Sequence, residues 1–364
     1  MKSSLTHDSR IRDIRTAMAE AGLDAYMVTH LPTIRYITNF SGSNATLIIT
    51  KRAVHFFTDD RYTEQIKAEL FPLDGLKTAI ERDVFGYITK KKLLKDGSQL
   101  GYESNVLSVD MKKSIAKQLK GVKLTDAPNL ARNTTIVKSA TEIAHIKKAA
   151  DIAAQAYDYI LGFVKPGMRE LDAAIELSYQ ARKFGSEGDA FETIFVAGEH
   201  GAFPHGRAGT RKLKKGDVIT LDFGCKWNGF NSDMTRVFSI GKPSSEAMKA
   251  WDVVTEAHKR AIESISAGMS AKTLDLTARD IITNAGYGKY FGHSLGHGLG
   301  IEVHEMPGVS HRNEKGVIPE GCVITIEPGI YVPGEFGMRL EDDIHVTADG
   351  PVYLTSSRRD MVRL

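Results

Sequence analysis

Seventeen residues, Phe291–Pro307, place His293, His297, His304 and four glycines together. Imidazoles ligate metals, donate hydrogen bonds and carry protons near neutral pH. A pair four apart, as His293 and His297 are, could share one face of a helix and bind zinc there. Gly292, Gly296, Gly298 and Gly300 argue against that helix, because each interior glycine costs about 1 kcal/mol relative to alanine. The run therefore reads as extended or looping chain in which glycine lets the backbone approach a ligand closely. Its glycine spacing also mimics a phosphate loop, but no strand pattern leads into it and no helix pattern leaves it.

Acids elsewhere interrupt apolar strands. Asp222 stands in Val218–Gly224, Asp233 in Asn231–Phe238, Glu327 at the end of a core strand in Cys322–Tyr331, and Glu341 in Met338–Val346. The first two read as arms of a hairpin joined through Lys226–Gly229. A turn centred between Trp227 and Asn228 places Asp222 directly opposite Asp233, whereas Asn228-Gly229 at the centre shifts that register. Four converging carboxylates drive one another to protonate unless cations compensate them. Two divalent ions would balance the charge. Four oxygen donors with the His297 nitrogen suit Mn²⁺, Co²⁺, Fe²⁺ or Zn²⁺.

The elements that must position these residues fall into two blocks. Residues 9–22 carry a helical pattern, short β-rich segments follow at 24–29, 45–50 and 53–58, and helices resume at 63–70 and 109–119, which together indicate an α/β domain over 1–130. Asp59–Tyr62 reads as a capped helix start and Lys90–Lys95 as a solvated helix face. The pattern loosens around Thr125–Asn133. A second domain over 138–364 then presents helices from Thr141, over 170–184, at 245–266 and at 272–285, with strands at 190–197, 217–226, 230–239, 322–332 and 337–347. Helices grouped against strand pairs suggest an α+β layer, and the order occurs twice, as an internal duplication would give.

The motifs Asp222-Phe-Gly, Asp233-Met-Thr-Arg, His-Ser-Leu-Gly-His297-Gly-Leu-Gly with His304-Glu-Met-Pro, Glu327-Pro-Gly-Ile-Tyr and Arg339-Leu-Glu341-Asp-Asp together resemble the Xaa-Pro peptidases, prolidase and aminopeptidase P, of the methionine-aminopeptidase-like group. The resemblance implies a pita-bread catalytic domain of two pseudo-symmetric halves behind a creatinase-like N-terminal domain. Asn39–Ser43 and Thr58–Tyr62 look like that domain's recurring segments. Carried over, Asp233 and Glu341 bridge two metals, Asp222 completes one, and His297 with Glu327 completes the other. His205 and His304 take oxyanion and leaving-group contacts, and Glu327 also shuttles a proton. Arg339 would hold the acids by charge-assisted hydrogen bonds, Tyr331 would border the oxyanion, and His293 would either contact substrate or pack. Arg312 is a candidate for the free carboxylate of a dipeptide; Phe203, His205 and His304 are candidates for the proline pocket. The implied chemistry is metal-dependent cleavage of short proline-containing peptides by a homodimer. Compact motif spacing leans toward aminopeptidase P, with prolidase close behind.

Two rivals share this fold: a creatinase-like amidinohydrolase without metal, and a metal-free module binding protein or nucleic acid. The complete five-ligand set counts against both. Composition adds exclusions: 48 Lys and Arg against 45 Asp and Glu leave a formal charge of +3, too small a field to call for nucleic acid or membrane. The start of the chain lacks an apolar leader, and no apolar run is long enough to span a bilayer. A cytoplasmic protein is expected, with Cys225 and Cys322 as free buried thiols.

Overall fold

The computed structural model describes the backbone of residues 2–364 and the side chains of residues 9–364. Two compact units divide between Thr135 and Ile136. In the first, helices Lys2–Glu20 (α1), Leu31–Thr38 (α2), Gln65–Glu69 (α3), Val84–Lys90 (α4) and Val109–Gln118 (α5) alternate with strands Ala25–Val28 (β1), Thr46–Thr50 (β2), Val54–Thr58 (β3), Leu76–Ile80 (β4), Gln99–Tyr102 (β5) and Lys123–Asp126 (β6). The sheet order is β4-β3-β2-β1-β5-β6. β2 runs antiparallel to both β1 and β3, and the remaining pairs are parallel. Every residue of β1 is buried, as a central strand covered on both faces requires. Asp59 caps a short 3₁₀ turn by accepting the Arg61 N–H at 3.1 Å. The expected lysine-rich helix face is not formed: α4 stops at Lys90 and Lys92 takes a φ of 51°, which a continuing helix cannot hold.

The second unit opens with Ala140–Phe163 (α6), started by a reciprocal capping box between Ser139 and Glu142, and Glu170–Lys183 (α7). Strands Ile194–Ala197 (β7), Val218–Phe223 (β8), Lys226–Trp227 (β9), Phe230–Asn231 (β10) and Met234–Ser239 (β11) follow. The same order then recurs: Ser245–Glu263 (α8), Ala271–Asn284 (α9), Gly296–Gly298 (β12), Glu305–Val309 (β13), Val323–Ile326 (β14), Gly329–Val332 (β15), Phe336–Arg339 (β16), Asp342–Thr347 (β17), Gly350–Tyr353 (β18) and Val362–Arg363 (β19). One sheet runs β19-β11-β8-β7 and the other β13-β12-β14-β17-β18, with β9–β10 and β15–β16 as separate ribbons. Apolar residues join helices to strands in each half: Ile152, Tyr157 and Leu177 with Phe195, Ile219 and Phe238, then Val254, Leu274 and Ile282 with Ile324 and Ile344.

Three segments expected as continuous strands are broken, and the breaks matter. Glu327 lies between β14 and β15, Glu341 between β16 and β17, Asp233 directly before β11, and Asp222 one residue from the end of β8. Pro328, without an N–H, cannot continue a ladder after Glu327. Asp233, Glu327 and Glu341 thus stand where a strand begins or ends, while Asp222 is still paired, next to the last residue of β8.

The hairpin register also differs from the direct opposition of Asp222 and Asp233. Asn228 and Gly229 both take positive φ, 48° and 79°, as the two central residues of a type I′ turn must. Trp227 therefore pairs with Phe230, and Asp222 faces Thr235. Asp233, two residues before Thr235, remains on the same face as Asp222 because side chains alternate along a strand.

Candidate metal centre

Asp233, His297 and Glu341 each offer a ligand atom, and those atoms lie within 4.8 Å of one another. His297 Nε2 stands 3.5 Å from Glu327 Oε1 and 3.7 Å from Asp233 Oδ2. Arg339 ties in the rest: its guanidinium donates to Asp222 Oδ2, and its Nε donates to Thr235 Oγ1 at 3.0 Å. Thr235 Oγ1 in turn donates to Glu341 Oε2 at 2.6 Å. Asp222, Asp233, His297, Glu327 and Glu341 line one cavity of about 320 Å³.

Local structure explains how a glycine-rich run delivers His297. β12 pairs with both β13 and β14. A Cβ on Gly296 would overlap the Thr325 carbonyl, and one on Gly298 the Met306 carbonyl. These glycines serve strand packing instead of the close ligand approach expected from sequence. The His297 backbone N–H bonds Thr325 Oγ1 at 3.1 Å, and its Nδ1 lies 3.0 Å from the Gly298 carbonyl. A carbonyl only accepts, so Nδ1 carries the proton and Nε2 turns its lone pair toward the acids.

Electrostatics single out the same group. Burial, reinforced by mutual repulsion, raises Asp233 and Glu327 well above the usual carboxylate range and pushes Glu341 up to about 8. Burial pushes His297 down to about 4, which keeps its imidazole neutral. Asp222 Oδ1 and Asp233 Oδ1 are buried without a hydrogen-bond partner among the described residues. Four carboxylates with unspent lone pairs and one neutral imidazole fit hard to borderline divalent cations. Such ions would restore the charge that burial alone suppresses.

Other predicted residues divide. His205 and His304 line the cavity, and the His304 ring centroid is 4.3 Å from that of His297. Burial, with the charge of His205 adding to it, lowers the His304 pKa. His293 and Tyr331 stand outside the residues lining this cavity. Arg339 donates to Tyr331 Oη at 2.5 Å, and the phenol O–H in turn donates a hydrogen bond to His293 Nε2 at 2.9 Å. Burial depresses His293 to about 3 and raises Tyr331 to about 12, leaving both neutral in this relay. Arg312 and Phe203 are not brought to the cavity either. Arg312 is exposed, and Phe203, 61% exposed, packs edge-on against His200.

Supporting residues escaped sequence reasoning. Fully buried Glu170 on α7 accepts the Ala197 N–H at 2.9 Å, His200 Nδ1 at 2.7 Å and the Gly209 N–H at 3.2 Å, fixing both ends of the segment that carries His205. On α9, Asp275 accepts the Leu295 N–H at 2.9 Å while its partner Arg279 donates to the His293 carbonyl at 2.7 Å. Lys138 meets Glu305, next to His304, at 2.9 Å with both side chains buried. The Asp275–Arg279 pair, four apart on an apolar helix face, was the one local signal available.

Fold and site together define a metal-dependent hydrolase with paired acids and flanking histidines. The profile of metallopeptidase family M24 matches residues 144–348, and that of the Creatinase/Prolidase N-terminal domain matches residues 10–134. An Xaa-Pro dipeptidase of Pyrococcus horikoshii is 35% identical over 361 residues, 98% of this chain and 99% of that protein. The solved Xaa-Pro dipeptidase from Bacillus anthracis superposes with a TM-score of 0.93 at 35% identity, over 98% of this chain and 100% of that one. The X-Pro aminopeptidase from Thermotoga maritima gives 0.87 at 35% identity, over 94% and 98%. The chain belongs to metallopeptidase family M24, with a creatinase-type N-terminal domain ahead of a pita-bread catalytic domain.

Proposed function

We propose that this chain hydrolyses the peptide bond between an N-terminal residue and a following proline. Two divalent cations, Mn²⁺ foremost, would be held by Asp222, Asp233, His297, Glu327 and Glu341. The observation that carries the reading is the convergence of Asp233, His297 and Glu341 within 4.8 Å, beside acid oxygens left without partners. The Xaa-Pro substrate class rests on the names of the 35%-identical relatives.

When bound, such a metal pair brings the pKa of a water to about 7 and polarises the scissile carbonyl. The chain's own residues supply the remainder. His304 and His205, from two different segments lining the same cavity, donate to the developing oxyanion and to the departing nitrogen. Glu327 moves the proton between water and that nitrogen. Arg339 holds Asp222 and, through Thr235, orients Glu341. Phe191, Ile194 and Val303 give the cavity an apolar wall for a pyrrolidine ring. A bond preceding proline is a tertiary amide with no N–H, so shape has to replace the hydrogen bond that other peptidases make there.

The same reading takes the working form to be a cytoplasmic homodimer acting on short proline-containing peptides, without nucleic acid or membrane partners. No helix among the described residues is long and apolar enough to cross a membrane. Chromatographic rates for Ala-Pro and Ala-Pro-Ala, with Mn²⁺ and after chelation, test the activity. Metal-dependent cleavage is expected; failure to cleave either peptide across Mn²⁺, Co²⁺, Zn²⁺ and Fe²⁺ defeats it.

A further inference from the structure

Two arginines line the cavity, and they are in opposite conditions. Arg339 is 3% exposed and fully engaged with Asp222, Tyr331 and Thr235. Arg207 has its side chain 80% exposed and, among the described residues, meets a surface carboxylate, with Nε 3.1 Å from Glu192 Oε2, whose own side chain is 65% exposed. An ion pair so exposed contributes little to stability, and another carboxylate can replace Glu192 in it. The guanidinium fork matches such a group with two parallel N–H donors.

Position adds to this. Arg207 follows His205 by two residues on the segment that Glu170 anchors through the Gly209 N–H, 3.2 Å away. In an Xaa-Pro dipeptide the free carboxylate hangs on the proline ring, one residue beyond the scissile carbonyl, so its cation has to stand in the same cavity as His205 and the acids. Arg339 cannot leave the acids without stripping Asp222 of its donor, and Arg312 does not line the cavity.

We propose that Arg207 is a specificity-determining residue that binds the free α-carboxylate of an Xaa-Pro dipeptide, the substrate displacing Glu192. This rests on the Xaa-Pro reading above and narrows it to peptides ending at the proline.

The test compares kcat/KM for Ala-Pro and Ala-Pro-amide with the full, Mn²⁺-loaded chain. Wild type should favour the acid. Arg207→Gln should reduce the acid-over-amide preference about tenfold or more, through KM for the acid, as loss of a hydrogen bond to a charged group does. Arg207→Lys, which keeps the charge and loses the fork, should retain part of the preference, and Glu192→Gln should lower KM for the acid. The exposure of Arg207 leaves folding untouched, which a melting curve checks. An unchanged acid-to-amide ratio in Arg207→Gln, or a wild type that prefers the amide, overturns the assignment while leaving Xaa-Pro hydrolysis intact. Cleavage of neither compound by wild type overturns both.

Discussion

Glu341 and Asp342 are adjacent and equally hidden, at 2% and 0% exposure, yet their surroundings are opposite. Asp342 Oδ1 accepts Arg236 Nη2 at 2.6 Å, its Oδ2 accepts Arg359 Nε at 2.5 Å, and His258 Nε2 lies 3.2 Å away. Although burial pushes the other way, Arg236, His258 and Arg359 hold the Asp342 carboxyl well below its usual range. Glu341 turns to the other side of the chain, where burial and the neighbouring Asp222 push it up to about 8. Arg339 donates to Asp222 and stands 3.9 Å from Glu327 and 4.0 Å from Glu341. One carboxylate is matched by organic cations and cross-links the fold; the other is left with acids for company. A buried acid whose neighbours are more acids is a candidate ligand, because it stays protonated unless a cation from outside the chain compensates it.

The contrast breaks most completely if chelation spares activity. Removing divalent metal should abolish cleavage, and Glu341→Gln should lower the metal content measured by elemental analysis together with the rate. On the matched side, Arg236→Met should cost about 3–5 kcal/mol in urea unfolding, because Asp342 would stay buried with a partner gone. Retained stability there would mean that the cluster is not what holds β11 to β17. His304→Ala should cut kcat by roughly 10²-fold at constant metal content, the loss expected on removing a proton donor; wild-type turnover would remove His304 from the mechanism.

The smallest effect is a pH dependence that only the unmatched acids can produce. A carboxyl whose folded pKa is raised binds more protons in the native state, so the stability it lends is complete below its unfolded value and fades as pH rises through the folded one. For Glu341 that window runs from 4.5 to about 8. Burial lowers His293 to about 3 and His297 to about 4 from 6.5, so their contribution is complete above 6.5 and is lost as pH falls, opposing the acids in the lower part of the window. Between pH 6.5 and 8 the acids act without that opposition. The melting temperature of metal-free protein should therefore fall across this interval, and added Mn²⁺ should remove the slope. A flat profile without metal would show that the acids are already compensated.

Much of the centre was legible before folding because its residues violate their surroundings. Asp222 in Val-Ile-Thr-Leu-Asp-Phe and Glu327 after Val-Ile-Thr-Ile are charges where the β pattern calls for apolar side chains. Element types were legible for the same periodic reasons, and the duplicated order of helix pair and strands could be read from hydrophobic spacing. What stayed hidden was local choice with more than one solution. Lys226–Gly229 accommodates two turn centres, and the positive φ of Asn228 and Gly229 selects the one that moves Asp222 opposite Thr235. Glu170 with His200, and Lys138 with Glu305, sit 30 and 167 residues apart, so no window along the chain displays them as pairs.

By itself the amino-acid sequence singled out candidate side chains for divalent ions, since that choice rests on residue type and on charges embedded in apolar strands. Which imidazole faces the acids, which arginine is committed and which is available were decided only by tertiary structure. The Gly298 carbonyl directs His297 Nε2 toward Glu327 and Asp233, Tyr331 engages His293 Nε2 and leaves its Nδ1 3.8 Å from Glu327, and Asp222 captures Arg339 while Arg207 remains at the surface. Each outcome depends on a partner brought close by strand pairing or turn geometry, and proximity of that kind is a property of the folded chain.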